Sequence, residues 1–192
     1  MNLLFETKKI SRIFLIIEFE KKISFACIFD NLPIKLVVLL WECLLRECRV
    51  ILCSKNLGKL TSAINAALGM INPFSWQHIQ IPVLPRSMLD YCTAPIPFLI
   101  GVLPQNIPEI LKKPLEQVFI FNLDDKKLIL PTDISNYSYF VPKQIRSSLT
   151  SSLERILRSQ APSSANESSF FIFYFSFIFY FFYFYFFFIF LS

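Results

Sequence analysis

Two runs of five residues, Arg49–Cys53 (RVILC) and Phe98–Val102 (FLIGV), are apolar at nearly every position and too short to stand as helices. Runs of this kind mark strands buried on both faces, as in parallel sheets covered by other elements. The segments around them alternate helix-like and strand-like patterns from Pro33 to Arg158, with short breaks. That alternation predicts an α/β fold, a mostly parallel sheet with helices on both faces.

The other elements follow from spacing and breakers. Asp30 or Asn31 is expected to cap a helix with Pro33 in its first turn, running through the deeply apolar IKLVVLLWECLLREC. Ser54 or Asn56 caps a second helix, with Leu57, Leu60, Ile64, Ala67, Leu68 and Ile71 on its apolar face, ending before Pro73. WQHIQIPVLP predicts a strand containing His78, with Ile79, Ile81 and Val83 on one side and Pro82 where no N–H is missed. Short helices are expected over Arg86–Cys92 and Ile107–Lys113, and a hairpin in QVFIFNLDDKKLIL turning at Asp124 and Asp125. Pro142 opens a last helix with Ile145, Leu149, Leu153, Ile156 and Leu157 on one face.

The two ends of the chain have a different character. Residues 1–29 form an N-terminal segment without a signal-peptide pattern, 30–159 the α/β module, 160–169 a polar linker (QAPSSANESS) and 170–192 a low-complexity aromatic tail. The 22 residues Phe170–Leu191 hold 13 of the 23 Phe and 4 of the 7 Tyr. As a helix they would reach ~33 Å, enough for a hydrocarbon core of about 30 Å. Two readings stay open: a tail anchor preceded by Arg155 and Arg158 that keeps the module cytosolic, or a T-rich coding repeat read in frame.

Composition narrows the chemistry. Lys and Arg exceed Asp and Glu by only 19 to 14, spread along the chain, so no nucleic-acid partner is expected. The five cysteines, Cys27, Cys43, Cys48, Cys53 and Cys92, include no C-x-x-C pair and read as reduced, mostly buried thiols. Five residues of helix are about 140° of rotation, so Cys43 and Cys48 should diverge and no metal site is expected. His78 is the one histidine, and no G-x-S-x-G elbow accompanies it, so no catalytic triad is expected. Gly58, Gly69 and Gly101 make neither dinucleotide nor P-loop patterns, and Asp124 and Asp125 read as turn residues.

The stretch from Leu39 to Val102 contains an ordered set of fixed elements: Arg46-Glu47, Val50–Ser54, Pro73-Phe74-Ser75-Trp76, Ile81-Pro82-Val83-Leu84-Pro85, and Pro95-Ile96-Pro97-Phe98-Leu99-Ile100-Gly101. Carried in this order over about 70 residues, they resemble the central segment of DENN domains, and the likeness is expected to extend through Val118–Leu130 and the Pro142–Leu157 helix. Pro73, Phe74, Trp76, Pro82, Leu84, Pro85, Pro95, Pro97, Phe98 and Gly101 are then structural signature positions. The prolines fix extended backbone, Trp76 fills space at the sheet edge and Gly101 permits a close approach.

The resemblance implies guanine nucleotide exchange on a Rab-type small GTPase in membrane trafficking, with no cofactor and no side-chain nucleophile. It also implies an upstream longin-like module and a downstream helical part, so this chain is expected to be part of such a factor. A non-catalytic GTPase- or partner-binding fragment, anchored by the tail or not, is the alternative. Either way the expected location is cytoplasmic, peripheral to or anchored in intracellular membranes. In open α/β sheets binding groups gather at the carboxyl ends of parallel strands. That selects Lys55, Asn56, Arg86, Gln105 and Asn106 as GTPase contacts.

Overall fold

The computed structural model describes residues 25–71, 74–130 and 141–159. Pro73, the linker, the aromatic tail and most of the N-terminal segment lie outside the described residues. In chain order the elements are α1 (Ala26–Phe29), α2 (Ile34–Leu45), β1 (Arg49–Cys53), α3 (Leu57–Gly69), β2 (Ile79–Ile81), a 3₁₀ segment (Arg86–Thr93), β3 (Phe98–Val102), a 3₁₀ turn (Pro104–Asn106), α4 (Ile107–Ile110), β4 (Val118–Asn122), β5 (Lys127–Ile129) and α5 (Lys143–Ser159). The five strands form one sheet in the order β2-β3-β1-β4-β5. All pairings are parallel except the β4–β5 hairpin, so the expected α/β class is the observed one.

The two apolar runs are neighbours in the middle of the sheet. Arg49 pairs with Phe98 on one side and with Val118 on the other, and the register continues in step to Cys53, Val102 and Asn122. Side chains alternate across the pleat, so Val50, Leu52, Leu99, Gly101, Phe119 and Phe121 share one face. Ile51, Cys53, Phe98, Ile100, Val102, Val118 and Ile120 share the other. α3 lies on the first face, since a Cβ at Gly101 would come within 2.9 Å of Leu60 Cγ and collide with the Pro82 carbonyl oxygen. α2 packs beside α3 and against β1, with Val37 to Leu44 buried without interruption. The second face is covered by Leu84, Leu89, Cys92, Ile107, Ile110 and Leu115. These come from 3₁₀ segments, the four-residue α4 and loops: the short helix expected over Arg86–Cys92 is 3₁₀, and the one expected over Ile107–Lys113 stops at Ile110.

Several local expectations change. Pro33 is the N-cap of α2 and has no side-chain capping bond, because Asp30 and Asn31 close α1 instead. The Asn31 amide donates to the Cys27 carbonyl at 2.8 Å, and Lys126 Nζ donates to the Asp30 carbonyl at 2.8 Å. α3 is capped by Asn56, whose side-chain oxygen accepts from the Lys59 N–H at 2.9 Å. Leu57, placed on its apolar face by spacing, is 52% exposed in its first turn, and Ala63 and Ala66 are buried instead. β2 stops at Ile81, so Val83 is outside it, and His78 lies just before it. Pro82 follows the edge strand, where its missing N–H costs no ladder bond.

α5 packs on α2. The join is polar at one point: the fully buried Glu42 of α2 accepts the Val141 N–H at 3.1 Å, two residues before α5 begins. On the apolar face expected for this helix, Leu149 and Leu153 are half-buried, while the side chains of Ile145, Ile156 and Leu157 lie outside the described set.

Candidate functional site

Right-handed crossovers running in opposite directions along a sheet must use opposite faces. The chain leaves β1 into α3 on the Gly101 face and leaves β3 into Pro104–Ile110 on the other. Because β1 and β3 are neighbours, their carboxyl ends flank a topological switch point, the place where open α/β sheets take up binding partners. The Ser54 N–H donates to the Val102 carbonyl at 3.3 Å, joining the two exits.

A carboxylate organises this end of the sheet. Asn122 closes β4, and its side-chain oxygen accepts the N–H groups of Asp124 and Asp125, both at 3.0 Å, forming the expected turn. The turn carries the Asp124 carboxylate across to the exit of β1. There it accepts from the Ser54 hydroxyl at 3.0 Å, the Lys55 N–H at 2.7 Å and Lys59 Nζ at 2.9 Å. Burial pushes the Asp124 carboxyl up, but the hydrogen bonds from Lys55, Lys59 and Ser54 and the Lys59 charge outweigh it and hold the group below its ordinary value. Ser54 in turn accepts the Asn56 N–H at 3.2 Å. One side chain from β4's turn therefore fixes the backbone of residues 54–56, and with it the start of α3.

The residues selected by sheet logic fall out as follows. Lys55 and Asn56 are exposed on the loop that Asp124 holds. Gln105 is exposed on the exit of β3. Asn106 is only 3% exposed, packed between the 3₁₀ turn and α4, so it supports the loop and offers no surface to a partner. Arg86 is exposed and donates from Nε to Glu109 Oε2 at 3.1 Å, which ties it to α4. Ser54, Lys59 and Asp124 were not singled out as site residues. Their signal is distributed over about 70 positions and becomes readable only when β4 is known to lie beside β1.

The signature positions divide in the same way. Leu84 and Phe98 are buried, and the Trp76 indole donates to the Ile79 carbonyl at 3.3 Å at the β2 edge. Phe74 is 61% exposed. His78 Nε2 lies 3.2 Å from Glu47 Oε2, and its ring meets Trp76 edge-on at 5.2 Å between centroids.

The architecture defines an open α/β module with a carboxylate-centred polar network at the carboxyl end of its central strand. The family model described as DENN (AEX-3) domain matches residues 5–126, more than half of the chain, and the chain belongs to that family. The match takes in residues 5–29, set apart by the sequence reading, and ends at the β4–β5 turn. Among its relatives is DENN domain-containing protein 2B of Homo sapiens, 35% identical over 133 residues. That alignment covers 69% of this chain and 12% of the relative. DENN domain-containing protein 1B of Homo sapiens is 38% identical over 117 residues, covering 60% of this chain and 15% of the relative. The chain thus spans about an eighth of the length of such relatives.

Proposed function

We propose that this chain is the central part of a guanine nucleotide exchange factor for a Rab-type small GTPase, meeting its partner at the switch point between β1 and β3. Membership of the DENN family is the observation that carries this reading. The site residues are Lys55, Asn56 and Gln105 on the two strand exits, with Arg86 alongside, and Asp124 positions the first two. A module that grips one GTPase conformation more tightly than another shifts its population toward the nucleotide-free state. Chemistry of that kind rests on a rigid, correctly placed loop, which the Asp124 network supplies. The work would be done at the cytosolic face of trafficking membranes. Among the described residues no helix is long and apolar enough to cross a membrane, and the proposed tail anchor lies outside them.

The test is release of fluorescent GDP from a panel of Rab-type GTPases with the 192-residue chain added. Accelerated release by one or more of them, reduced about tenfold by Lys55→Glu without loss of folding, is the expected result, a change of roughly 1.4 kcal/mol in transition-state stabilisation. Binding without accelerated release assigns the chain to the partner-binding alternative. Neither binding nor release overturns the proposal.

A further inference from the structure

The corner between α2 and β1 brings two thiols together. Glu47 takes a φ of 53°, in the left-handed region. Its N–H donates to the Leu44 carbonyl at 3.1 Å and the Cys48 N–H donates to the Cys43 carbonyl at 2.9 Å, the crossed bonds of a Schellman ending. The sequence reading had Cys43 and Cys48 diverging, which holds only for a helix that continues. α2 stops at Leu45, the chain folds back, and the two thiols meet in a hydrogen bond of their own. Cys43 is buried and Cys48 half-buried, so Cys48 is the more approachable of the two.

The surroundings separate this pair from the other cysteines. The hydrogen bond from Cys43 draws the Cys48 thiol below its usual value, with help from the charges of Arg46 and Arg49 and against the effects of burial and of the Glu42 charge. Burial pushes Cys27 and Cys92 up to about 11 and Cys53 up to about 12, which leaves them poor nucleophiles near neutral pH. A disulfide spans α-carbons about 4.4–6.8 Å apart. The main-chain hydrogen bond from Cys48 to Cys43 holds the two residues close together.

We propose that Cys43 and Cys48 are a peroxide-sensitive dithiol, with Cys48 as the reacting sulfur and Cys43 as the resolving one. The Cys48 thiolate attacks one oxygen of hydrogen peroxide, the O–O bond breaks, and hydroxide leaves with the electron pair, giving a sulfenic acid. Cys43 then attacks that sulfur, the S–O bond breaks, and the departing hydroxide takes up a proton. In sum two thiols and one peroxide become one disulfide and two waters. The bond staples the end of α2 to the start of β1, and the inference stands apart from the exchange reading.

The experiment uses the full chain, reduced, then exposed to hydrogen peroxide, quenched with an alkylating reagent and digested with trypsin. Cleavage after Lys35, Arg46 and Arg49 puts the two cysteines in separate peptides, 36–46 and 47–49. The expected product is those peptides joined through sulfur, separated again by dithiothreitol. In the reduced protein Cys48 is alkylated at least roughly tenfold faster than Cys27. Cys43→Ala should send Cys48 on to sulfinic acid, and Cys48→Ser should leave Cys43 unoxidised. Oxidation of Cys48 in the unsubstituted chain with Cys43 still alkylatable, or labelling of Cys27 as fast as Cys48, overturns the proposal.

Discussion

The two faces of the sheet are buried to the same depth by different means. On the Gly101 face, α2 and α3, of 12 and 13 residues, lay continuous apolar surfaces against β1 and β3, where Val50, Leu52 and Leu99 are fully buried. On the opposite face Ile51, Ile100, Val102 and Ile120 are sealed by single residues such as Leu84, Leu89 and Ile110, each delivered by a turn or a short helix. Long helices bury area cooperatively and resist local rearrangement, whereas separate short pieces can each shift a little to close a void. The face built of short pieces also carries the exit of β3 and Arg86. Part of the candidate contact surface, Gln105 and Arg86, therefore lies on the adaptable side, while Lys55 and Asn56 lead into α3 on the other.

The largest test compares adjacent residues of β1. Leu52→Ala and Ile51→Ala should both fall within about 2–5 kcal/mol, with Leu52 the costlier because the helices on its side relax less. Urea unfolding of the two variants measures this, and equal losses would break the contrast. Gly101→Ala should cost about 1–3 kcal/mol in the same assay, since the methyl group must displace Leu60 and the Pro82 backbone.

Asp124→Asn should cost about 1–2 kcal/mol by weakening charged hydrogen bonds. Asp124 is held below its ordinary value in the folded chain, so its stabilisation is complete above the unfolded carboxylate value and is lost as pH falls through the lowered folded one. The stability gap between the native chain and Asp124→Asn should accordingly close below roughly pH 4, as thermal melts across a pH series would record. A gap independent of pH would show that the carboxylate charge has no part in holding the β1 exit. The smallest expected effect is a gain. Gln117 sits exposed at φ 49° ahead of β4, and Gln117→Gly should raise stability by about 0.5 kcal/mol by removing left-handed strain.

What could be read from the sequence was set by range. RVILC and FLIGV announce buried strands because five consecutive residues suffice, and Asn56 announces a cap because its bond spans three. The close approach at Gly101 was legible from the residue type, though its partners Pro82 and Leu60 were not. The Cys43–Cys48 contact was misread because it depends on where a helix ends, and the left-handed residue there is Glu47 where glycine would be the usual signal. The Asp124 network was invisible for a different reason. It joins residues 65 to 70 positions apart, and only the strand order makes them neighbours.

That strand order also governs how the chain comes into being. β1 is the earliest of the described strands to leave the ribosome, yet it becomes the centre of the sheet, and its partners begin only at Phe98 and Val118. Until β3 is complete at Val102 this strongly apolar strand has both edges open, and from there until β4 follows one edge stays open. Nascent chains halted between residues 53 and 118 should be the species that chaperones hold and that aggregates collect. Completion of β4 closes the second edge and, two residues later, delivers Asp124 to lock the exit of the strand that was made first.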